Sequence, residues 1–363
     1  MKALFLCNTP YQIIVTTQIA QTRLKNYQID IIISDHIAKP ENLIRNIKNS
    51  RFFDNVFFYT PRKHFCNKPR YRYYFEYLKQ LFFRKYFWDD EMKIHPEYDE
   101  FYFVMPTFEA NMIARCIKNK KLKIFMFEDG FASYTNLYGN IIKKLYRNDV
   151  LKLYRKIFYS ELYKIEGIYV FNPKYMEWNA SFPILNIEKI QKKHVLVLNE
   201  VFGYENLENE YNKDIIFFEE SYYRDGIFIG DEELISIIAE KIGKDSLMVK
   251  IHPRNPYNRF LKMGLKTNTN TAIPWEIIAL NIDISSKILV TVASGSALTS
   301  LLNTNMIPKK VVMLMNCREV KDINLTSTVS LLRRIADRNQ EVVILPNNYE
   351  NAILTIQSLA KDG

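Results

Sequence analysis

The sequence predicts an α/β protein of two parallel-sheet domains, and three observations carry that prediction. Short β-branched and aromatic runs alternate with longer amphipathic segments, the pattern of strand–helix–strand units. The alternation runs through the first half, breaks over a Tyr- and Lys-rich middle at about 138–193, and restarts. The chain is 363 residues long, and at ~100–200 residues per domain that length fits two.

In the first half, strands are expected at Ala3–Cys7, Ile29–Ile33, Asn55–Tyr59, Phe101–Met105 and Leu122–Phe127. Helical patterns fill gaps between them, as at Tyr11–Arg23 and Glu41–Lys48. In the second half, strands are expected at His194–Asn199, Asp214–Phe218, Leu247–Ile251, Lys287–Val292, Lys310–Met315 and Glu341–Leu345. Helices are expected at Glu232–Ile242, Trp275–Asn281, Ala297–Leu302 and Tyr349–Ala360. The domain division is therefore 1–190 and 191–345, with 346–363 a final helix that can pack on either. This organisation implies two Rossmann-like domains facing a central cleft. In open α/β sheets ligands bind beyond the carboxyl ends of strands, so the residues just after each strand matter most.

Composition narrows the class. Hydrophobic residues make up 48% and charged residues 25% of the chain, which suits a globular protein and not a disordered one. The N-terminal apolar run stops at Asn8-Thr9-Pro10, too early for a signal-peptide core. No run of ~20 apolar residues occurs, so no transmembrane helix is expected. Cys7, Cys66, Cys116 and Cys317 show no paired spacing, and free thiols in a reducing cytoplasm fit them.

The net charge is +10. Much of it lies in Arg62–Lys85, where Arg70, Arg72, Lys79 and Arg84 interleave with Tyr71, Tyr73, Tyr74 and Phe82. Such a run suits an anionic membrane surface, an acidic glycolipid or a nucleic acid. It equally fits a helix with a solvated basic face and an aromatic core face. No recognised nucleic-acid-binding motif accompanies the charge, which speaks against a nucleic-acid partner.

Three post-strand segments carry chemistry. Glu128-Asp129-Gly130 comes after the strand at Leu122–Phe127 and places two carboxylates in a tight turn, where one can act as a general base for a hydroxyl. Asp-Gly is also a common turn pair whose Asp caps the next segment. His252-Pro253 comes after Leu247–Ile251, and an imidazole at a strand end can donate to a departing phosphate. A second Lys-Ile-His-Pro, at Lys93–Pro96, has no strand before it and carries no such weight. Ser294-Gly295-Ser296 runs from a strand into a helix start, where backbone N–H groups and hydroxyls make a neutral phosphate cup. A plain N-cap explains one serine but not the run. Upstream, Glu276 succeeds Pro274-Trp275 at a helix start, where it can accept from a ribose diol or favour the helix N-terminus electrostatically.

Taken in order, these segments describe a nucleotide-sugar site. They also resemble the acidic-Gly, His-Pro and paired-Ser motifs of bacterial sialyltransferases. The wider context (Phe127–Gly130, His252–Arg254, Ser294–Thr299, and the start Asn8-Thr9-Pro10-Tyr11-Gln12) is most similar to glycosyltransferase family 52, which includes lipooligosaccharide α-2,3-sialyltransferases. That resemblance implies a GT-B fold and inverting transfer of sialic acid from CMP-sialic acid. The acceptor it implies is a hydroxyl of a galactose-terminated oligosaccharide or glycolipid. It implies neither metal nor cofactor, and no Asp-x-Asp pair occurs in the sequence.

By the resemblance, His252 serves the leaving phosphate, Ser294, Gly295 and Ser296 hold phosphate oxygens, and Glu276 holds the ribose. Lys250 and Pro253 line the nucleotide, and Thr9, Gln12 and Gly130 lie on the acceptor side. Neighbouring sialyltransferase families use the first acid of the acidic-Gly motif as base, here Glu128. Family 52 draws an acid from the loop after the strand that opens the second domain, here Glu200 in Asn199–Glu205, although the spacing there departs from the family pattern. Glu200 is favoured, with Glu128 and Asp129 kept as site residues. A cytoplasmic enzyme, peripheral at the membrane through Arg62–Lys85 and able to form a homodimer, is the resulting expectation. The rival readings are a related hexosyltransferase using another nucleotide sugar and a basic nucleic-acid- or membrane-binding protein.

Overall fold

A computed structural model describes residues 1–60, 97–221, 231–255, 257–317 and 323–361. The run Arg62–Lys85 and the second Lys-Ile-His-Pro lie outside the described residues. The chain divides into two compact units: Met1–Glu188 with Leu196–Gly203, and Lys189–Val195 with Tyr204–Gly363.

The first unit is built on β1 (Lys2–Cys7), β2 (Gln28–Ser34), β3 (Asn55–Tyr59), β4 (Glu100–Phe103), β5 (Lys123–Phe127), β6 (Ile165–Val170) and β7 (Ile184–Asn186). They form one parallel sheet in the order β3-β2-β1-β4-β5-β6-β7. Both faces are covered, so the strands read as near-continuous apolar runs: Ala3–Cys7 and Ile31–Ile33 are all buried. The helix Pro10–Thr22 comes directly after β1 with Thr9 as N-cap and Pro10 in its first turn. It is buried from Gln12 through Ala20, the position of a helix lodged against the sheet centre.

The second unit repeats the plan with β8 (Ile215–Phe218), β9 (Leu247–Lys250), β10 (Lys266–Thr267), β11 (Ile288–Thr291), β12 (Lys310–Met313) and β13 (Val343–Ile344). Its order is β10-β9-β8-β11-β12-β13, again all parallel. Both sheets thus have the Rossmann order, reversing direction beside the first strand of each unit. The last helix, Tyr349–Lys361, packs in this unit against the helix Asp231–Ile242 and β11.

Two sequence expectations change. His194–Asn199 is not a strand: Val195–Phe202 is a helix. Val195, Leu198, Val201 and Phe202 are buried while Leu196 is exposed, a three-to-four-residue period that a short apolar run conceals. The middle stretch is also more regular than its composition implies, holding helices Asn136–Tyr146 and Lys152–Phe158 besides β6 and β7. Gly167 hides β6 because glycine weakens a strand reading. It is there for space: a Cβ at Gly167 would stand 2.9 Å from a Leu185 methyl and 3.2 Å from the Pro183 carbonyl.

Candidate active site

In the second unit the sheet reverses between β8 and β11, where doubly wound sheets bind ligands. The chain leaves β8 through Glu219 and Glu220, both buried. Glu219 Oε2 accepts the backbone N–H of His252 at 2.8 Å, and its Oε1 accepts from Arg259 at 3.0 Å. Arg259 also reaches Glu232 at 2.6 Å. Glu220 Oε1 accepts the Thr291 hydroxyl and the Ala293 N–H, each at 2.8 Å, and the Glu220 carbonyl accepts from Asn255 at 3.0 Å. One acidic dipeptide therefore braces the loop after β9 and the loop after β11.

His252 lies two residues beyond β9 and is half-buried. Its Nδ1 accepts the Arg254 backbone N–H at 3.2 Å, and its carbonyl accepts Asn255 N–H at 3.0 Å. An Nδ1 that accepts leaves the ring proton on Nε2 in the neutral ring. Pro253 is exposed just past the end of the strand.

Ser294, Gly295 and Ser296 are partly exposed beyond β11. Ser294 N–H donates to Thr291 Oγ1 at 2.8 Å, so Glu220, Thr291 and Ser294 form one chain of hydrogen bonds. The helix Ser296–Asn303 starts with Gly295 in helical conformation and no side-chain cap, so the first-turn N–H groups keep no serine acceptor. β9 and β11 flank β8, so the two loops rise from the same sheet edge about 10 Å apart, two inter-strand spacings.

Lys250, the last residue of β9, is buried, and burial lowers its ammonium to about 8 while Glu276 acts in opposition. Glu276 is the second residue of the helix Trp275–Asn281; burial raises its carboxyl, opposed by its own backbone N–H and by the charge of Lys250.

In the first unit, Glu128 directly succeeds β5 and is wholly buried. The Tyr11 hydroxyl donates to its Oε1, and the Tyr134 hydroxyl and the Phe171 N–H (2.8 Å) to its Oε2. Burial pushes this carboxyl up to about 7, against those three donors. Asp129 is half-buried; its Oδ1 accepts from Gln12 Nε2 at 2.7 Å, and its N–H donates to Ser133 at 2.6 Å. Gln12 Oε1 takes Asn8 N–H at 2.6 Å, and Thr9 Oγ1 takes Gln12 N–H at 3.2 Å. Gly130 has φ +64°, a left-handed turn that releases the chain from the strand.

Thr9, Gln12, Glu128, Asp129 and Gly130 are thus one cluster, and Lys250, His252, Glu276, Ser294, Gly295 and Ser296 belong to one sheet edge of the other unit. Glu200 belongs to neither group: it is exposed on the helix Val195–Phe202 and not in a post-strand loop. Sequence reasoning missed Glu219 and Glu220, although adjacent acids directly after the apolar run Ile215–Phe218 repeat the signal that singled out Glu128. It also missed Tyr134, and named Tyr11 only within a motif.

The chain is similar in fold to solved glycosyltransferase-type structures. It matches an α/β-galactoside α-2,3-sialyltransferase from Photobacterium phosphoreum at 14% identity and TM-score 0.51, over 95% of this chain and 98% of that one. It matches a putative UDP-N-acetylglucosamine 2-epimerase from Listeria monocytogenes at 11% identity and TM-score 0.52, over 99% and 88%. These likenesses fix the GT-B class of fold. No curated protein matches the sequence. The profile of one family, however, matches residues 3–315, a span that takes in the carboxylate cluster, the His-Pro loop and the serine turn. The chain is accordingly a glycosyltransferase, and it belongs to the alpha-2,8-polysialyltransferase (POLYST) family.

Proposed function

We propose that the protein moves sialic acid from CMP-sialic acid to a sugar hydroxyl of a bacterial surface glycan, with inversion and without metal or cofactor. The observation that carries this reading is the pairing of the His252 loop and a serine-lined helix start on one sheet edge, both braced by Glu219-Glu220. The absence of an Asp-x-Asp pair from the sequence supports metal independence.

The donor carbon is tertiary and bears a carboxylate, so its bond to phosphate breaks early and charge gathers on the leaving group. Ser294, Ser296 and the N–H groups of the helix start hold the phosphate oxygens, and His252 Nε2–H meets the developing charge. Full protonation by His252 would require the imidazolium, whose Nδ1–H would displace the Arg254 N–H. Glu276 holds the ribose and Lys250 lines the nucleotide. The acceptor hydroxyl attacks the anomeric carbon and passes its proton to Glu128, entering where the Tyr11 hydroxyl now donates. CMP leaves with the bonding electron pair.

The family description names an α-2,8 linkage. That favours a sialic acid terminus as acceptor over the terminal galactose and α-2,3 linkage expected from the resemblance to family 52. The proposed setting is the cytoplasmic side of the cell membrane; among the described residues no helix is long and apolar enough to cross it. The test is to supply CMP-sialic acid or UDP-hexoses with sialylated and galactose-ended acceptors. Release of CMP with chain growth on the sialylated acceptor supports the reading. Turnover of a UDP-hexose in its place would make the protein a hexosyltransferase.

A further inference from the structure

The first unit carries a surface that the transfer chemistry does not use. The helices Asn136–Tyr146 and Lys152–Phe158 are joined by a short turn at 147–151. At that turn Val150 is 97% exposed and Leu151 55%, and Leu153 in the first turn of the second helix is 69% exposed. Leu137 and Ile141, four apart on the first helix and so on one stripe, are also exposed. The helix Lys152–Phe158 buries none of its residues. Scattered exposed apolar side chains are ordinary, but Val150, Leu151 and Leu153 fall within four successive residues, and an exposed apolar patch marks a binding surface.

The charge around this cluster is one-sided. Between residues 143 and 156 stand Lys143, Lys144, Arg147, Lys152, Arg155 and Lys156 against the single acid Asp149. Asp149 is already engaged, with Arg155 at 2.5 Å and Arg147 at 3.4 Å. Beside the first helix lies a cavity of about 710 Å³ whose lining combines Leu137, Ile142 and Trp178 with Lys143, Lys144 and Arg147. Apolar walls under a cationic rim suit an amphiphile with an anionic head.

We propose that the turn joining these two helices seats the protein on an anionic lipid bilayer, Val150, Leu151 and Leu153 entering the acyl boundary while Lys143, Lys144, Arg147, Lys152 and Lys156 meet the headgroups. A second copy of the chain is the poorer occupant. A two-fold contact would set this patch against itself, and the same cations would face one another. The inference is independent of the transfer reading, because vesicle binding is measured without donor or acceptor.

The experiment floats the full-length protein with vesicles of phosphatidylcholine alone or with phosphatidylglycerol added. Binding to the anionic vesicles only, weakened by salt, is expected. Replacing three cations (Lys143→Gln, Lys144→Gln, Arg147→Gln) should lower partitioning on the order of a hundredfold. Val150→Asp with Leu153→Asp should abolish it and leave the melting temperature unchanged, since both side chains already face water. Equal binding by these variants and the parent would overturn the proposal, as would equal binding to neutral vesicles. Sedimentation showing a dimer that the aspartate pair dissolves, without vesicle binding, would assign the patch to a second copy instead.

Discussion

Glu219 and Glu220 are neighbours in the chain, yet each holds a different loop: Glu219 takes His252 N–H and Glu220 takes Ala293 N–H, both at 2.8 Å. The spacing between the proposed leaving-group donor and the serine turn is therefore set by one dipeptide at the end of β8. Neither side chain needs to touch substrate to matter.

Glu220→Ala should destabilise the protein because Thr291 and Ala293 would lose a buried acceptor, at about 1–3 kcal/mol for each stranded donor. Glu219→Ala should cost about 3 kcal/mol by removing the buried partner of Arg259, which keeps Glu232. Denaturant unfolding checks both. In variants that stay folded, the Michaelis constant for CMP-sialic acid should rise as the loops lose register.

His252→Ala removes the proposed donor to the leaving phosphate and leaves the serine turn in place. Its kcat should fall about 100- to 1,000-fold, with little change in CMP affinity. Steady-state turnover together with CMP titration separates the two quantities. Near-normal turnover would remove His252 from the mechanism.

Glu128 makes stability depend on pH in a definite direction. Its carboxyl rises from 4.5 to about 7 on folding. The protonated form is thus favoured in the native state, and its stabilisation is full below pH 4.5 and lost as pH rises through 7. Between those limits the parent should lose about 3 kcal/mol relative to Glu128→Gln, which does not ionise. Parallel unfolding of the two proteins from pH 4.5 to 8 measures the difference. A flat difference would mean that the carboxylate is stabilised by its three donors as well as water would stabilise it.

Much of this arrangement was legible in the residues. Strands such as Lys2–Cys7 and Gln28–Ser34 are apolar almost throughout because both sheet faces are covered, and their ends locate the post-strand loops. His252 and Ser294–Ser296 could be placed on strand ends for that reason. The helix Val195–Phe202 could not, since a short apolar run fits a buried helix as well as a strand. That misreading lent Glu200 a loop position it does not have. The brace formed by Glu219 and Glu220 was hidden for another reason: its partners lie 33 and 73 residues away in sequence, and only the strand order brings them together.

Gly139 is fixed by packing and not by backbone conformation. A Cβ there would fall 2.3 Å from Trp178 Cγ, and that indole is pinned by its Nε1–H to the Ser133 carbonyl at 2.8 Å. Gly139→Ala should therefore destabilise by about 1–3 kcal/mol despite its gain in helix propensity. Thermal melting checks it; a stabilised variant would show that the ring can shift.

The identity of the base turns on three carboxylates in different surroundings. Glu128 is buried with its titration near 7, Asp129 is half-buried and holds Gln12, and Glu200 is exposed on a helix. A base works best when its titration lies near the working pH, which is why Glu128 is the proposed base. Glu128→Gln should lower kcat/KM about 100- to 10,000-fold and erase the acidic limb of the pH–rate profile near pH 7. Tyr11→Phe removes a hydrogen bond that holds Glu128 down, so it should keep that limb but move it to higher pH. Asp129→Asn should act through Gln12, raising the acceptor Michaelis constant and sparing the limb. Glu200→Gln should match the parent throughout. An acidic limb that disappears in Glu200→Gln and survives in Glu128→Gln would reverse the assignment.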